Sequence, residues 1–179
     1  MSARTPTAAR REKWLAILED LDADIDPQTV RLLERLRMVS HAMYQLGEQS
    51  LETAGLSYAR FRLLMSLFMS EEMDGRSELN PSEISAKQGI SRNTVSTLIR
   101  DLEAERLIER QLDPDDRRRF NIRLTSDGRA RVRDHAATHF HTLAESFTVL
   151  DQNEQTELDR LLSALGASIE LTRQTLEAS

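Results

Sequence analysis

The chain has no cysteine in its 179 residues, so it can form no disulfide and carries no thiol that could sense oxidants. Long apolar runs are missing as well. No stretch approaches the roughly 20 residues that a membrane-spanning helix needs, and no charged-then-apolar leader opens the sequence. Both absences predict a cytoplasmic protein with no membrane partner. There is no glycine-rich phosphate loop, no nucleophile elbow and no paired-cysteine metal motif. An enzyme is therefore not expected, nor a bound cofactor or a metal centre. Internal repeats and low-complexity segments are absent too, and the length suits one compact domain with an appendage.

What is present is charge, unevenly placed. The net charge is −6, from 24 basic and 30 acidic residues. Residues 82–133 hold 12 Lys/Arg against 9 Asp/Glu, a local excess of 3 positive charges. The remainder holds 12 basic and 21 acidic residues, a deficit of 9. A basic region inside an acidic chain is the footprint of a nucleic-acid contact, and the acidic remainder limits non-specific sticking.

Residues 80–125 read as consecutive pieces of one module. Asn80 can cap a short helix, Pro81 suits its first position, and Glu83 can reach back to complete a capping box. Gly89 supplies the backbone freedom of a tight inter-helix turn. A second helix opens at Ser91-Arg92-Asn93-Thr94, with Val95, Leu98, Ile99 and Leu102 recurring at i, i+3, i+4, i+7 as one buried stripe. Its other face offers Asn93, Ser96, Thr97 and Arg100, short hydroxyls and an amide beside one guanidinium. Such a set can enter a major groove and hydrogen-bond to base edges. Alone, this could be an ordinary polar surface helix. Its position between a capped helix and a basic hairpin argues for DNA.

The hairpin follows as two strand-like runs, 107–112 and 120–125, with β-branched Ile108 and Ile122 among apolar neighbours. Asp113-Pro114-Asp115-Asp116 is turn chemistry, and Arg117-Arg118-Arg119 completes the tip. Three adjacent guanidiniums repel one another unless phosphate or a narrow minor groove receives them. Asp116 is placed to hold one of them. Helix, turn, helix and basic hairpin predict a mainly α fold with a small β-hairpin wing, a winged helix-turn-helix.

Several segments together carry a family resemblance. They are Leu79-Asn80-Pro81-Ser82-Glu83-Ile84, Ser91-Arg92-Asn93-Thr94-Val95-Ser96, Leu107-Ile108-Glu109-Arg110, Asp113-Pro114-Asp115-Asp116-Arg117-Arg118 and Leu124-Thr125-Ser126-Asp127-Gly128. With Gly55-Leu56-Ser57-Tyr58-Ala59-Arg60-Phe61 upstream, the chain resembles the multiple-antibiotic-resistance regulator (MarR) family over most of residues 28–176. The resemblance implies a homodimer that binds double-stranded DNA at a near-palindromic operator, generally as a repressor released by a small ligand. The DNA contacts expected are Ser91, Arg92, Asn93, Thr94, Ser96, Thr97, Arg100, Asp116, Arg117, Arg118 and Arg119.

The flanking regions read as helices. Residues 1–26 form an extension with an amphipathic helix over 8–21, bearing the single tryptophan, Trp14, beside Ile17, Leu18 and Leu21. A long helix runs from Pro27, capped by Asp26, to about residue 54, and Ser57 caps another with Phe61, Leu64, Met65 and Phe68 on one face. Helices over 127–150 and 153–176 follow, the second after the capping box at Asp151–Glu154. Residues 27–55 and 127–179 are assigned to a helical dimerisation region and 56–126 to the DNA-binding domain. The stripe Leu158, Leu161, Leu162, Leu165, Ile169 and Leu176 either closes the monomer core or, as the resemblance implies, interlocks subunits.

A ligand pocket is expected between the dimer helices and the DNA module, lined by Met38, His41, Tyr44, Phe61, Arg62 and Met65, with Trp14 either sensing or bracing. Methionine, aromatics and one cation suit a small aromatic molecule, such as an anionic phenolic acid. An alternative is a zinc-responsive regulator, because His135 and His139 stand one helical turn apart. Zinc-sensing members of the family, however, carry a histidine where this chain has Arg62. A helical protein-interaction module without DNA binding is the third reading, disfavoured by the arginine tip and the polar helix face.

Overall fold

The computed structural model describes residues 13–14, 16–17, 25–112 and 120–177. Helices α1 (Pro27–Ser50), α2 (Tyr58–Asp74), α3 (Pro81–Gln88) and α4 (Arg92–Ala104) lead into strands β1 (Ile108–Leu112) and β2 (Phe120–Leu124). Helices α5 (Ser126–Glu145) and α6 (Gln152–Glu177) complete the chain. The mainly α architecture with a two-stranded antiparallel hairpin is the one the sequence predicts. Among the described residues, no helix is long and apolar enough to cross a membrane.

Local capping chemistry starts most of these helices. Asp26 accepts from the N–H of Thr29 at 3.0 Å, and Ser57 accepts from that of Arg60 at 3.3 Å. Asn80 and Glu83 form the full reciprocal box, Asn80 Oδ1 accepting from the N–H groups of Ser82 and Glu83 while Glu83 Oε2 accepts from that of Asn80. The Asp151–Glu154 box forms in the same way at the head of α6. Each cap satisfies N–H groups that the helix itself leaves unpaired.

Two helix ends differ from expectation. α1 stops at Ser50 rather than near residue 54, and a 3₁₀ turn, Glu52–Ala54, follows it. Leu51 is fully buried and Ala54 nearly so, and the 3₁₀ turn that carries them ends at Gly55 in the left-handed region, at φ 64°. α5 stops at Glu145 rather than 150. Three successive i→i+3 bonds, from Ser146, Thr148 and Phe147 back to Leu143, Glu145 and Ala144, tighten the chain there, and the Gln155 amide then caps the carbonyls of Phe147 and Leu150.

The chain divides into two compact units, Met1–His139 and Phe140–Ser179. In the first, one hydrophobic core joins Leu51 and Leu56 to α2 (Phe61, Leu63, Leu64, Leu67), α3 (Ile84), α4 (Val95, Leu98, Ile99, Leu102), the hairpin (Ile108, Ile122, Leu124) and Val132 of α5. Gly89, at φ 65°, lets α3 end in a left-handed turn that points the chain into α4. Gly128 lets α5 approach β1, since a Cβ there would stand 2.0 Å from the Leu107 carbonyl oxygen. In the second unit, α6 is a 26-residue helix with no buried residue. Of the N-terminal extension, Lys13, Trp14, Ala16 and Ile17 are helical, and the remainder of the amphipathic helix read over 8–21 lies outside the described residues.

Candidate nucleic-acid interface

α4 is the element the site is built on. Its apolar stripe is wholly buried, so its other face must point to solvent: Ser91, Arg92, Asn93, Thr94, Ser96, Thr97 and Arg100 are all exposed. Three connections hold the helix in place. Ser91 Oγ caps it through the N–H of Thr94 at 3.1 Å and meets the Thr94 hydroxyl at 2.8 Å. Arg60 of α2 forms an ion pair with Glu105 just past its C-terminus. Arg62 donates to the carbonyl of Gln88 at 3.3 Å, on the turn that leads into it.

The hydroxyls of the exposed face are occupied within the helix. Ser96 donates to the Arg92 carbonyl at 2.9 Å and Thr97 to that of Asn93 at 3.2 Å. These i−4 bonds store the O–H donors, leave the oxygen lone pairs outward, and exchange at little cost when a base edge offers an acceptor. Arg100 is 71% exposed and only loosely paired with Asp101 at 3.6 Å, so its guanidinium faces solvent. Ser91 differs from the others, because its oxygen is committed to the cap.

The hairpin pairs in register, Ile108 with Leu124 and Leu112 with Phe120, and is tied to the body by Leu79 against Ile122. Arg110 lies 4.8 Å over the Phe120 ring and pairs with Glu103 of α4 at 2.9 Å, so wing and recognition helix are electrostatically linked. The tip, with Asp116, Arg117, Arg118 and Arg119, lies outside the described residues. Sequence reasoning missed Arg110, Arg123 and Glu78. For Arg123 a signal was present in Glu109, which a short hairpin places opposite it; Arg110 and Glu78 had no such local sign.

The residues expected around a ligand separate into two groups. Tyr44 and Tyr58 stack edge-to-face at 5.2 Å, and the Arg62 guanidinium lies 5.8 Å from the Tyr58 ring. Burial, followed by the nearby Glu48 carboxylate, raises the Tyr44 phenol above its ordinary pKa. Met38 and Met65 are half-buried and His41 is exposed. Phe61, by contrast, is 1% exposed and belongs to the core, 4.9 Å from the His139 ring. Trp14 is exposed. An open cleft of about 380 Å³ lies elsewhere, lined by Glu105, Leu107, Asp127, Ala130, Arg131, Asp134 and His135, and none of the expected ligand residues borders it.

His139 is taken up by the interior. It is 2% exposed, its Nδ1 meets Ser50 Oγ at 2.7 Å, and the rings of Tyr58 and Phe61 flank it. His135 is half-buried on the neighbouring turn. The spacing that made the two histidines a candidate zinc pair is therefore used by one of them for packing. Among the described residues, no three His, Asp or Glu side chains come together as a metal site would require.

A capped helix, a glycine turn, a solvent-facing polar helix and a hairpin docked beside it define a winged helix-turn-helix protein. Known proteins agree. A family model described as the MarR family matches residues 54–119. The chain is 26% identical over 144 residues to the transcriptional repressor YetL of Bacillus subtilis, covering 80% of this chain and 82% of that protein. The S. aureus MepR–DNA complex is 29% identical with a TM-score of 0.67, covering 75% of this chain and 96% of MepR. Bordetella bronchiseptica BpsR, whose DNA binding 6-hydroxynicotinic acid regulates, shares the fold at 23% identity and a TM-score of 0.66, covering 76% and 98%. Residues 54–119 thus match the MarR family, and the chain is similar to a transcriptional repressor and to a DNA-bound winged-helix protein.

Proposed function

We propose that the protein is a homodimeric repressor that places two α4 helices in successive major grooves of a near-palindromic operator and leaves it when a small aromatic acid binds. The observation that carries the DNA reading is the division of α4, whose apolar residues are all buried and whose polar residues all face solvent. Ser96, Thr97, Asn93 and Arg100 would read bases, with Ser91, Arg92 and Thr94 at the helix N-terminus near the phosphates. Asp116, Arg117, Arg118 and Arg119 would act from the wing.

The dimer is supported by exposed apolar residues on two helices. α6 exposes Leu161, Leu162, Leu165, Ile169, Leu171 and Leu176, and α1 separately exposes Leu32, Leu33, Leu36 and Val39. Apolar stripes of this length on a soluble helix mark an interface, and a second copy of the chain supplies matching ones. For the ligand, Arg62 over Tyr58, with Tyr44 behind it, offers a cation and aromatic faces to an anionic ring. Regulation of BpsR by an aromatic acid is a precedent in the same fold.

The test is direct. Duplexes bound by the purified protein are selected from a randomised pool and examined for inverted repeats spaced by about one helical turn, roughly 10 base pairs. The complex is then challenged with a panel of hydroxylated aromatic acids. Two half-sites and an acid that releases the DNA are expected, with linked midpoints for ligand binding and release. Selection of a single unrepeated half-site would defeat the dimeric reading.

A further inference from the structure

We propose that Glu78 is a positioning residue for DNA binding: its carboxylate, shared between both strands of the hairpin, sets the direction in which the wing leaves the winged-helix core. The proposal rests on reading that hairpin as a DNA-contacting wing.

Glu78 precedes Leu79, the residue that ties the hairpin to the body. Leu79 donates to the Ile122 carbonyl at 3.0 Å and accepts from the Ile122 N–H at 2.8 Å. Two bonds around a single residue hold β2 at a point and resist tilting weakly. Beside the buried Ile108, Ile122 and Leu124 and the Arg110–Glu103 pair, Glu78 adds a polar attachment on the other face. Its Oε2 accepts from Asn121 Nδ2 at 3.2 Å. Its Oε1 accepts from the Gln111 amide at 2.8 Å, in the orientation that the donors and acceptors around Gln111 require. The Gln111 oxygen then accepts from the Arg123 guanidinium at 2.7–3.0 Å, and Arg123 also pairs with Glu109.

These groups lie on one face of the ladder. Gln111 stands opposite Asn121, and Glu109 opposite Arg123. The buried Ile108 and Ile122 have the other parity and point to the core. The polar face is thus a three-stranded clasp opposite the hydrophobic attachment, and the two together fix the hairpin's angle. Gln111 and Asn121 stand one pair from Leu112 and Phe120, so the clasp grips the hairpin at the outer end of its described ladder.

The carboxylate is chemically specific here. An ionised Glu only accepts, so it takes N–H donors from both amides and turns the Gln111 oxygen toward Arg123. A glutamine at 78 has one oxygen and one NH₂. Because Asn121 and Gln111 meet different oxygens of Glu78, the glutamine would present its NH₂ to one of the two donors, and a Gln111 amide turned to suit it would aim its own NH₂ at the guanidinium. Glu78→Gln therefore keeps the shape and breaks the polarity.

The experiment is an anisotropy titration at moderate salt, using a duplex that the wild-type protein selects from a randomised pool. Glu78→Gln and Glu78→Ala should each weaken binding roughly five- to tenfold, the scale of one or two lost hydrogen bonds, without moving the thermal midpoint. The same substitutions should cost nothing further in a protein whose Arg117, Arg118 and Arg119 are all alanine, because a wing that no longer grips cannot be misdirected. Asn121→Ala should reproduce the pattern, and it carries the test if Glu78→Ala does not fold. Equal losses in both backgrounds, or no loss from Glu78→Gln in folded protein, would overturn the proposal while leaving the wing in place. A triple-alanine protein that binds like the wild type would overturn the wing reading and this proposal together.

Discussion

α4 and α6 share an amphipathic pattern and meet opposite fates. α4 buries Val95, Leu98, Ile99 and Leu102 against its own chain and keeps its polar face for solvent. α6 carries leucines at the same kind of spacing and buries none of them. Burying a leucine or isoleucine is worth about 1.5–3 kcal/mol. The first helix therefore draws its stability from one chain, and the second has that stabilisation still to gain. α4 closes its core within one chain, whereas α6 leaves its leucines exposed, as the proposed dimer requires.

The largest effect should come from removing that half. Deletion from residue 153 onward should leave a monomer with a folded first unit, and lower affinity for the selected duplex by roughly 10²–10⁴, the advantage of linking two modules. Sedimentation and anisotropy on the same sample measure both. A truncated monomer that still held the full duplex tightly would break the comparison, because α6 would then be irrelevant to binding. The complementary cut is within α4. Ile99→Ala should cost about 2–5 kcal/mol of unfolding free energy through lost contacts and the cavity left behind. Leu162→Ala in α6 should leave the unfolding of the first unit unchanged and weaken only self-association. Similar losses from both in chemical denaturation of dilute protein would show that α6 is core rather than interface.

The comparison also separates what could be read in the sequence from what could not. Caps are local, so Asp26, Ser57, Asn80–Glu83, Ser91 and Asp151–Glu154 announced their helices within three or four residues. The burial of Val95, Leu98, Ile99 and Leu102 was legible because a 3.6-residue period needs no partner to be named. What failed depended on distant contacts. The 3₁₀ turn after Ser50 carries Leu51 and Ala54, which pack in a core built from elements far along the chain. His139 looked like a metal ligand beside His135, yet its partner is Ser50, 89 residues away in sequence. Phe61 looked like a pocket wall and packs on that same histidine. Charged and aromatic residues have several stable uses, and only the packing of other elements chooses among them.

A smaller effect should sharpen the outward side of α4. Ser96→Ala and Arg100→Ala should each reduce preference for the selected duplex over random DNA by about 1–3 kcal/mol, and leave the salt dependence almost unchanged for Ser96. Both side chains are exposed, so thermal stability should not move. Competition titrations with selected and scrambled duplexes measure this. An equal loss on both DNAs would mean that α4 grips the backbone and that bases are read elsewhere.

The smallest effect concerns His139, the last residue of the first unit and, among the described residues, its one fully enclosed titratable group. Burial holds its pKa below the ordinary histidine value of 6.5, since a charged imidazole there would lose water. The sign follows from proton linkage. Below about pH 6.5 the unfolded chain binds a proton that the folded chain resists, so unfolding gains protons and stability falls as pH drops. Above that value both states are neutral at this site and its contribution is complete. Thermal midpoints measured from pH 8 down to pH 5.5 should therefore decline more steeply for the wild type than for His139→Gln, which keeps a hydrogen-bonding group near Ser50 and cannot take up the proton. Because α6 has no buried residue, deleting residues 153–179 should leave the His139-dependent slope of the first unit intact. Identical slopes for wild type and His139→Gln would show that the imidazole titrates as freely in the folded chain as in the unfolded one, and that its burial imposes no protonation preference.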